Sequence, residues 1–184
     1  MTSPSVTAPS PTSGADLTDI PENPCPEGAD AFWFDGYDGK PLRGAVWPAT
    51  GSQARGTVLL FGGRTEFIEK YFEVVTQLRE RGFAVATMDW RGQGLSARGT
   101  ENRLKGHIDH FNEFDRDMAK FMKLVSERNL PQPLVGMAHS MGGNNLMRWL
   151  HLADTDAPLA AGLPKMKGVA LSAPMVDLRL STGA

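Results

Sequence analysis

Among the side chains of this 184-residue chain that could act as nucleophiles, Ser140 has the most specific setting. It stands in VGMAHSMGGN, residues 135–144, with Ala138 two positions before it and Gly142 two positions after. A nucleophile on a sharp strand-to-helix turn needs small residues at those positions, because the backbone folds back tightly there. The turn lifts the hydroxyl clear of the sheet. It also sets the hydroxyl at a helix N-terminus, where N–H groups and the dipole favour developing negative charge. One departure is visible: Ala138 stands where the G-x-S-x-G pattern has its first glycine. Alanine is the mildest steric replacement.

Other candidate groups are weaker. His107 and His110 flank a predicted helix start, where solvated or capping roles are common. His151 lies in the helix after Ser140 and is expected to point away from it. Ser96 and Ser172 lack a comparable turn, and Cys25 lies in a polar N-terminal stretch. As the one cysteine, it excludes an intrachain disulfide and a cysteine-based metal cluster. No metal and no cofactor is expected. A serine hydroxyl without a base is a poor nucleophile at neutral pH, and no histidine follows Ser140 except His151.

The elements that must position Ser140 read as alternating strands and helices. Residues 1–28 are rich in Pro, Ser and Thr, and are expected to be a flexible tail. A folded domain is expected over 29–184. AFWFDGYDGKPLRGAVWPA reads as a hairpin around Asp38-Gly39. GTVLLFGG, FAVATMDW, LVGMA and KGVALSAP read as short buried strands. Strands are therefore predicted near 31–36, 42–47, 57–61, 84–88, 133–138 and 167–172, parallel after the hairpin. EKYFEVVTQLRERG has helical spacing at Phe72, Val75 and Leu78 and ends on Gly82, a natural C-cap. Asp109 is expected to cap a helix whose stripe is Phe111, Phe114, Met118, Phe121, Met122 and Val125, stopped by Pro131 and Pro133. NNLMRWLHL reads as the helix after Ser140. This is an α/β class with a mostly parallel sheet, in which sites gather at strand carboxyl ends. Ser140, Gly62-Gly63-Arg64 and Asp89 through Gly94 all fall at such ends.

Composition narrows the class. Hydrophobic content of 41% and charged content of 22% are those of a globular domain. A net charge of −2 without a basic stripe gives no reason to expect nucleic acid. No apolar run approaches the ~18 residues of a membrane span, and the N-terminus lacks the pattern of a secretory signal. A soluble, cytoplasmic protein is the default expectation.

Four stretches together resemble the α/β-hydrolase family, in its monoacylglycerol lipase and lysophospholipase branch with serine-aminopeptidase-like relatives. They are LLFGGRTEFIEKY, MDWRGQGLS, AHSMGGN and GVALSAPM, in family order. MDWRGQGLS matches the family's D-x-x-G-x-G-x-S through Asp89, Gly92, Gly94 and Ser96. The resemblance implies Ser140 as nucleophile, with the N–H groups of Met141 and Arg64 as oxyanion donors. A neighbour of Arg64 is an alternative, because this loop reads Phe61-Gly62-Gly63 where the family has His-Gly. His139 and Gly142 are implied to support the turn, and Asp89, Gly92 and Gly94 to brace the site, with direct substrate contact the other reading.

The same resemblance places the acid and histidine of the triad after further strands and a cap, in the order Ser, Asp or Glu, His. On that reading the acid and base are absent from this chain, which would be the N-terminal part of the fold; Asp177 is a minor alternative for the acid. Two classes of function follow. One is a serine ester hydrolase acting on lysophospholipid or monoacylglycerol, in contact with a membrane surface as a peripheral protein. The other is a catalytically incomplete binding or interaction module. The intact elbow and loop favour the first. An unfinished parallel sheet would also leave an open edge through which a dimer could form.

Overall fold

The computed structural model describes residues 14–155 and 157–177. Its sheet has six strands: β1 (Asp30–Asp35), β2 (Pro41–Trp47), β3 (Gly56–Phe61), β4 (Phe83–Met88), β5 (Leu134–His139) and β6 (Gly168–Ser172). Three α-helices accompany them: α1 (Phe72–Glu80), α2 (Asn112–Glu127) and α3 (Ser140–Asp154). The strand order is β1-β2-β4-β3-β5-β6. β1 and β2 form the expected antiparallel hairpin, β2 also runs antiparallel to β4, and all later pairings are parallel. The six predicted strands are present, each within a residue of its expected bounds.

The apolar runs explain the layering. Every residue of β3 is buried, as a central parallel strand with both faces covered requires. Alternation then divides the core. Leu59, Phe61, Ala86 and Met88 pack with Phe114, Met118, Phe121 and Met122 of α2 and with Leu146 and Trp149 of α3. Leu60 and Val85 turn to the other face, against Trp47, Ile68, Phe72 and Val75. β6 is the edge strand among the described residues, and each of its residues is exposed.

Three expectations are corrected. Asp109 does not cap α2: the Glu113 carboxylate accepts the N–H groups of both Asp109 and His110 at 3.0 Å. A first-turn glutamate that reaches back to orphan donors serves the same need as a capping aspartate. Phe111 consequently precedes the helix and is 45% exposed instead of joining the stripe. The segment around Glu69 is a short 3-10 turn, Ile68–Tyr71, with the α-helix proper starting at Phe72.

The third concerns the expected tail. Residues 1–13 lie outside the described residues, but Gly14 onward runs against the domain. Gly14 bridges Phe32, and Ala15 donates to the Ala31 carbonyl at 3.0 Å. Arg43 donates to the Asp16 carbonyl, Thr18 N–H to Glu69, Asn23 to the Glu69 carbonyl, and Trp47 to the Pro26 carbonyl. A segment poor in apolar residues is thus held through its backbone carbonyls and amides, which composition does not register.

Candidate functional site

The chain passes from β3 to β4 on one side and returns past β3 to β5 on the other. Such a reversal opens a crevice at the carboxyl ends of the two strands it separates, here β3 and β5. The register pairs Phe61 with Ala138, so Gly62-Gly63 after β3 and Ser140 after β5 leave the sheet side by side. A Cβ built on Gly63 would lie 2.9 Å from Ser140 Cβ. The sequence-predicted nucleophile and oxyanion loop are therefore brought together.

Ser140 has φ 51°, a left-handed conformation on a residue with a side chain. This costs of order 1–2 kcal/mol and persists only where the surroundings enforce it. Here they do. Gly142 packs so tightly that a Cβ would meet the Gly62 carbonyl oxygen at 2.4 Å and that of Phe61 at 2.6 Å. A Cβ on Gly143 would strike Pro174 at 2.8 Å. Met175 donates its N–H to the Ser140 carbonyl at 2.8 Å, and Asn144 donates to the Met175 carbonyl at 2.9 Å. His139, extended at φ −117°, places Nδ1 3.1 Å from the Ser172 carbonyl oxygen. A carbonyl only accepts, which assigns the proton to Nδ1 and ties His139 to β6.

The loop after β3 can be sorted amide by amide. Gly63 donates its N–H to Glu66 Oε2 at 2.5 Å, and Thr65, itself at φ 60°, donates to Gln93 Oε1 at 2.6 Å. Arg64, between them, has no acceptor for its N–H among the described residues. Met141 is the second residue of α3, where an N–H has no partner within the helix. Sequence reasoning left open whether Arg64 or a neighbour faces the serine. The neighbours' amides are engaged and that of Arg64 is not.

Glu66 was not singled out in the sequence. Its carboxylate also accepts the Tyr71 hydroxyl and Lys70 Nζ. Burial pushes this carboxyl up, but the hydrogen bonds from Tyr71, Lys70 and Gly63 outweigh it and hold it below its ordinary value. Burial and Glu66 together push the Tyr71 hydroxyl far above its own.

Asp89 and the glycines after it form a brace around a buried carboxylate. Asp89, 1% exposed, accepts Arg43 Nε at 2.8 Å and the N–H groups of Ile68 and Leu95 at 2.9 Å. A Cβ on Gly94 would fall 2.1 Å from that carboxylate, so only glycine fits. Gly92, at φ 77°, donates to the Ala97 carbonyl. Ser96 links the segment to β2 by accepting the Arg43 N–H at 2.9 Å. Trp90 donates to the Gly62 carbonyl at 2.9 Å, which joins the brace to the loop beside Ser140. Arg43 also grips Glu69 through both terminal nitrogens at 2.7 Å. Burial pulls the guanidinium toward neutrality, but Glu69 and Asp89 hold it charged.

The remaining candidates lie apart. His107 faces Asp109 at 3.0 Å on an exposed loop, and the His151 carbonyl accepts from Thr155 at the end of α3. Among the described residues, no side chain hydrogen-bonds the Ser140 hydroxyl, and no group of three or more metal-ligating side chains occurs. Asp177 lines a cavity of about 300 Å³ with Asn144, Arg148 and Met175, one to two turns along α3 from Ser140. Cys25 donates its N–H to Asp19 at 2.8 Å, and burial raises its thiol further from reactivity. No described helix is long and apolar enough to cross a membrane.

Comparison with known proteins gives the family and the fold. The Escherichia coli (strain K12) protein lysophospholipase L2 is 32% identical over 151 residues, which cover 81% of this chain and 41% of that protein. Among solved structures, a thermostable carboxyl esterase from Bacillus coagulans superposes with TM-score 0.62 at 21% identity, over 79% of this chain and 44% of that one. A soluble variant of monoglyceride lipase from Saccharomyces cerevisiae gives TM-score 0.58 at 23% identity, over 93% and 49%. The chain thus spans about two fifths of the lysophospholipase it matches. A family model described as Hydrolase_4, serine aminopeptidase S33, matches residues 52–183. The chain belongs to this hydrolase family and carries the α/β-hydrolase sheet.

Proposed function

We propose that Ser140 is the acyl-accepting nucleophile of a carboxylic ester hydrolase whose substrates are single-chain lipid esters, lysophospholipid or monoacylglycerol. The observation that carries the reading is the abutment of Gly63 on Ser140 beside the unengaged Arg64 N–H. Ser140 Oγ attacks the ester carbonyl, whose oxygen takes up negative charge. The N–H groups of Arg64 and Met141 receive that oxyanion, each donor being worth about 3 kcal/mol in the barrier. Collapse expels the alcohol and leaves the acyl group on Ser140, and water then releases the fatty acid. Attack requires a base, and none reaches Ser140 among the described residues, so the histidine and acid are contributed from elsewhere. The lipid substrate is supported by the names of relatives, a lysophospholipase and a monoglyceride lipase.

The test is labelling by a fluorophosphonate and hydrolysis of p-nitrophenyl butyrate and monoacylglycerol. Residues 1–184 alone are expected to react slowly, and the chain extended by natural downstream sequence quickly, with Ser140→Ala abolishing both. Turnover that survives Ser140→Ala overturns the mechanism. Fast turnover by residues 1–184 that needs Ser140 points to an internal base, with His107 and His110 the first to replace. An extended chain that never labels favours the alternative, a binding module on the same fold.

A further inference from the structure

A cavity of about 580 Å³ lies away from Ser140. It lies between the docked N-terminal segment and the far side of the loop that carries Arg64. Thr18, Ile20 and Asn23 form one wall, Phe67 and Lys70 the other, and Gly94-Leu95 the end, above Arg43 and Glu69. Ile20, Phe67 and Leu95 are each 45–46% exposed, so three large apolar side chains border one opening. Ile20 opens a turn over Pro21-Glu22 that is closed by Asn23 N–H to the Ile20 carbonyl at 3.0 Å. That turn is fixed on both sides, by Thr18 to Glu69 and by Asn23 to the Glu69 carbonyl. Its backbone is tied down while the side chain of Ile20 is left half uncovered.

The buried guanidinium of the floor has no donor left for a ligand. Arg43 Nε and both terminal nitrogens are engaged by Asp89, Glu69 and the Asp16 carbonyl. Lys70 is engaged by Glu66 at 2.9 Å. With the buried charges mutually satisfied, what the cavity offers a ligand is mainly its apolar border, which favours a hydrocarbon over a phosphate or carboxylate. Its volume is within the range of small-molecule sites, ~300–1,000 Å³. Two of its walls continue from segments beside Ser140. Phe67 is three residues from Arg64, and Gly94-Leu95 directly follow Gln93, whose side chain accepts the Thr65 N–H.

We propose that this groove takes the hydrocarbon chain of the lipid ester, the N-terminal segment 14–28 serving as its outer wall. The inference rests on the reading of the chain as a lipid-ester hydrolase for the identity of the occupant, but not for the existence of the site. Binding through methylenes has a signature: each one buried tightens association about fourfold.

The experiment uses 1-O-alkylglycerols, which have an ether where a substrate has an ester, titrated into residues 1–184 below their critical micelle concentration and followed by NMR. Shifts are expected at Ile20, Phe67 and Leu95, and the dodecyl compound should bind at least tenfold more tightly than the octyl. Leu95→Arg should weaken binding at least tenfold, with Ile20→Asn on the opposite wall as the second variant should the first misfold. Ser140→Ala should bind as the wild type does. Affinity independent of chain length, shifts confined to other residues, or unchanged binding in both groove variants would overturn the proposal. So would a dimer that occupies the groove, dissolves in Leu95→Arg and leaves alkylglycerol binding untouched. Failure of the hydrolase reading looks different: alkylglycerols bind as described, while the extended chain never labels at Ser140.

Discussion

Gly63 and Ser140 approach until a methyl group on the first would stand 2.9 Å from Cβ of the second and 3.1 Å from Glu66 Oε2. This closeness follows from the Phe61–Ala138 register and from the absence of a side chain at position 63. Gly63→Ala should therefore cost activity before stability. The phosphonate labelling rate of the extended chain is expected to fall at least tenfold, while overpacking costs about 1–3 kcal/mol in urea unfolding. Unchanged labelling would place the loop farther from the serine than described.

Ser140→Gly should raise stability as it abolishes labelling. The left-handed φ of 51° is paid for by the surrounding packing and suits glycine without strain. The gain in unfolding free energy is expected to be about 0.5–1 kcal/mol, after glycine's greater entropy loss is counted. A destabilised variant would mean that the side chain of Ser140 is held by contacts not seen here.

Arg43→Leu should be among the most damaging substitutions. It leaves Asp89 and Glu69, 1% and 6% exposed, facing each other without their shared cation. Loss of one member of a buried ion cluster typically costs ~3–5 kcal/mol. Denaturant midpoints check it, and Arg43→Lys should recover only part, because one ammonium cannot grip both carboxylates.

Glu66 makes the loop beside Ser140 acid-sensitive. Its carboxyl is held below its ordinary value of about 4.3 in the unfolded chain. The folded state then binds fewer protons, so the contribution is complete above that unfolded value and is lost as pH falls through the lower folded one. The stability difference between wild type and Glu66→Gln should shrink on acidification from pH 6 to pH 3. Hydrogen exchange at the Gly63 amide should accelerate, relative to its intrinsic rate, over the same interval. A difference that grows on acidification would contradict the assignment.

Gly94→Ala tests the brace without touching the nucleophile. The added carbon would fall 2.1 Å from the Asp89 carboxyl at a residue with φ 48°, so the expected loss is about 3 kcal/mol or more. A loss below 1 kcal/mol would mean that Asp89 can move, and that the segment is not a brace.

What the sequence shows and what it hides divide along a physical line. Strands β3 and β5 were legible because continuous apolar runs bounded by glycine and proline carry their own signature. The turn at Ser140 was legible because its steric demand falls on Ala138 and Gly142, two positions away. Arg43 was invisible: inside PLRGAVW it reads as a solvated strand residue, and its partners are 26 and 46 positions distant. Glu66 resembled an ordinary polar loop residue until Gly63, Lys70 and Tyr71 were folded around it. The docking of Asp16 to Pro26 escaped notice because it runs through backbone groups, which every residue possesses.

β6 has a consequence beyond closing the sheet. Every one of its residues is exposed, yet its Ser172 carbonyl holds His139, and the loop that follows it holds the Ser140 carbonyl through Met175. β6 is therefore a lever whose short arm ends at Ser140. A polypeptide that added itself along that strand in trans would stiffen the serine's backbone from behind, without entering the crevice.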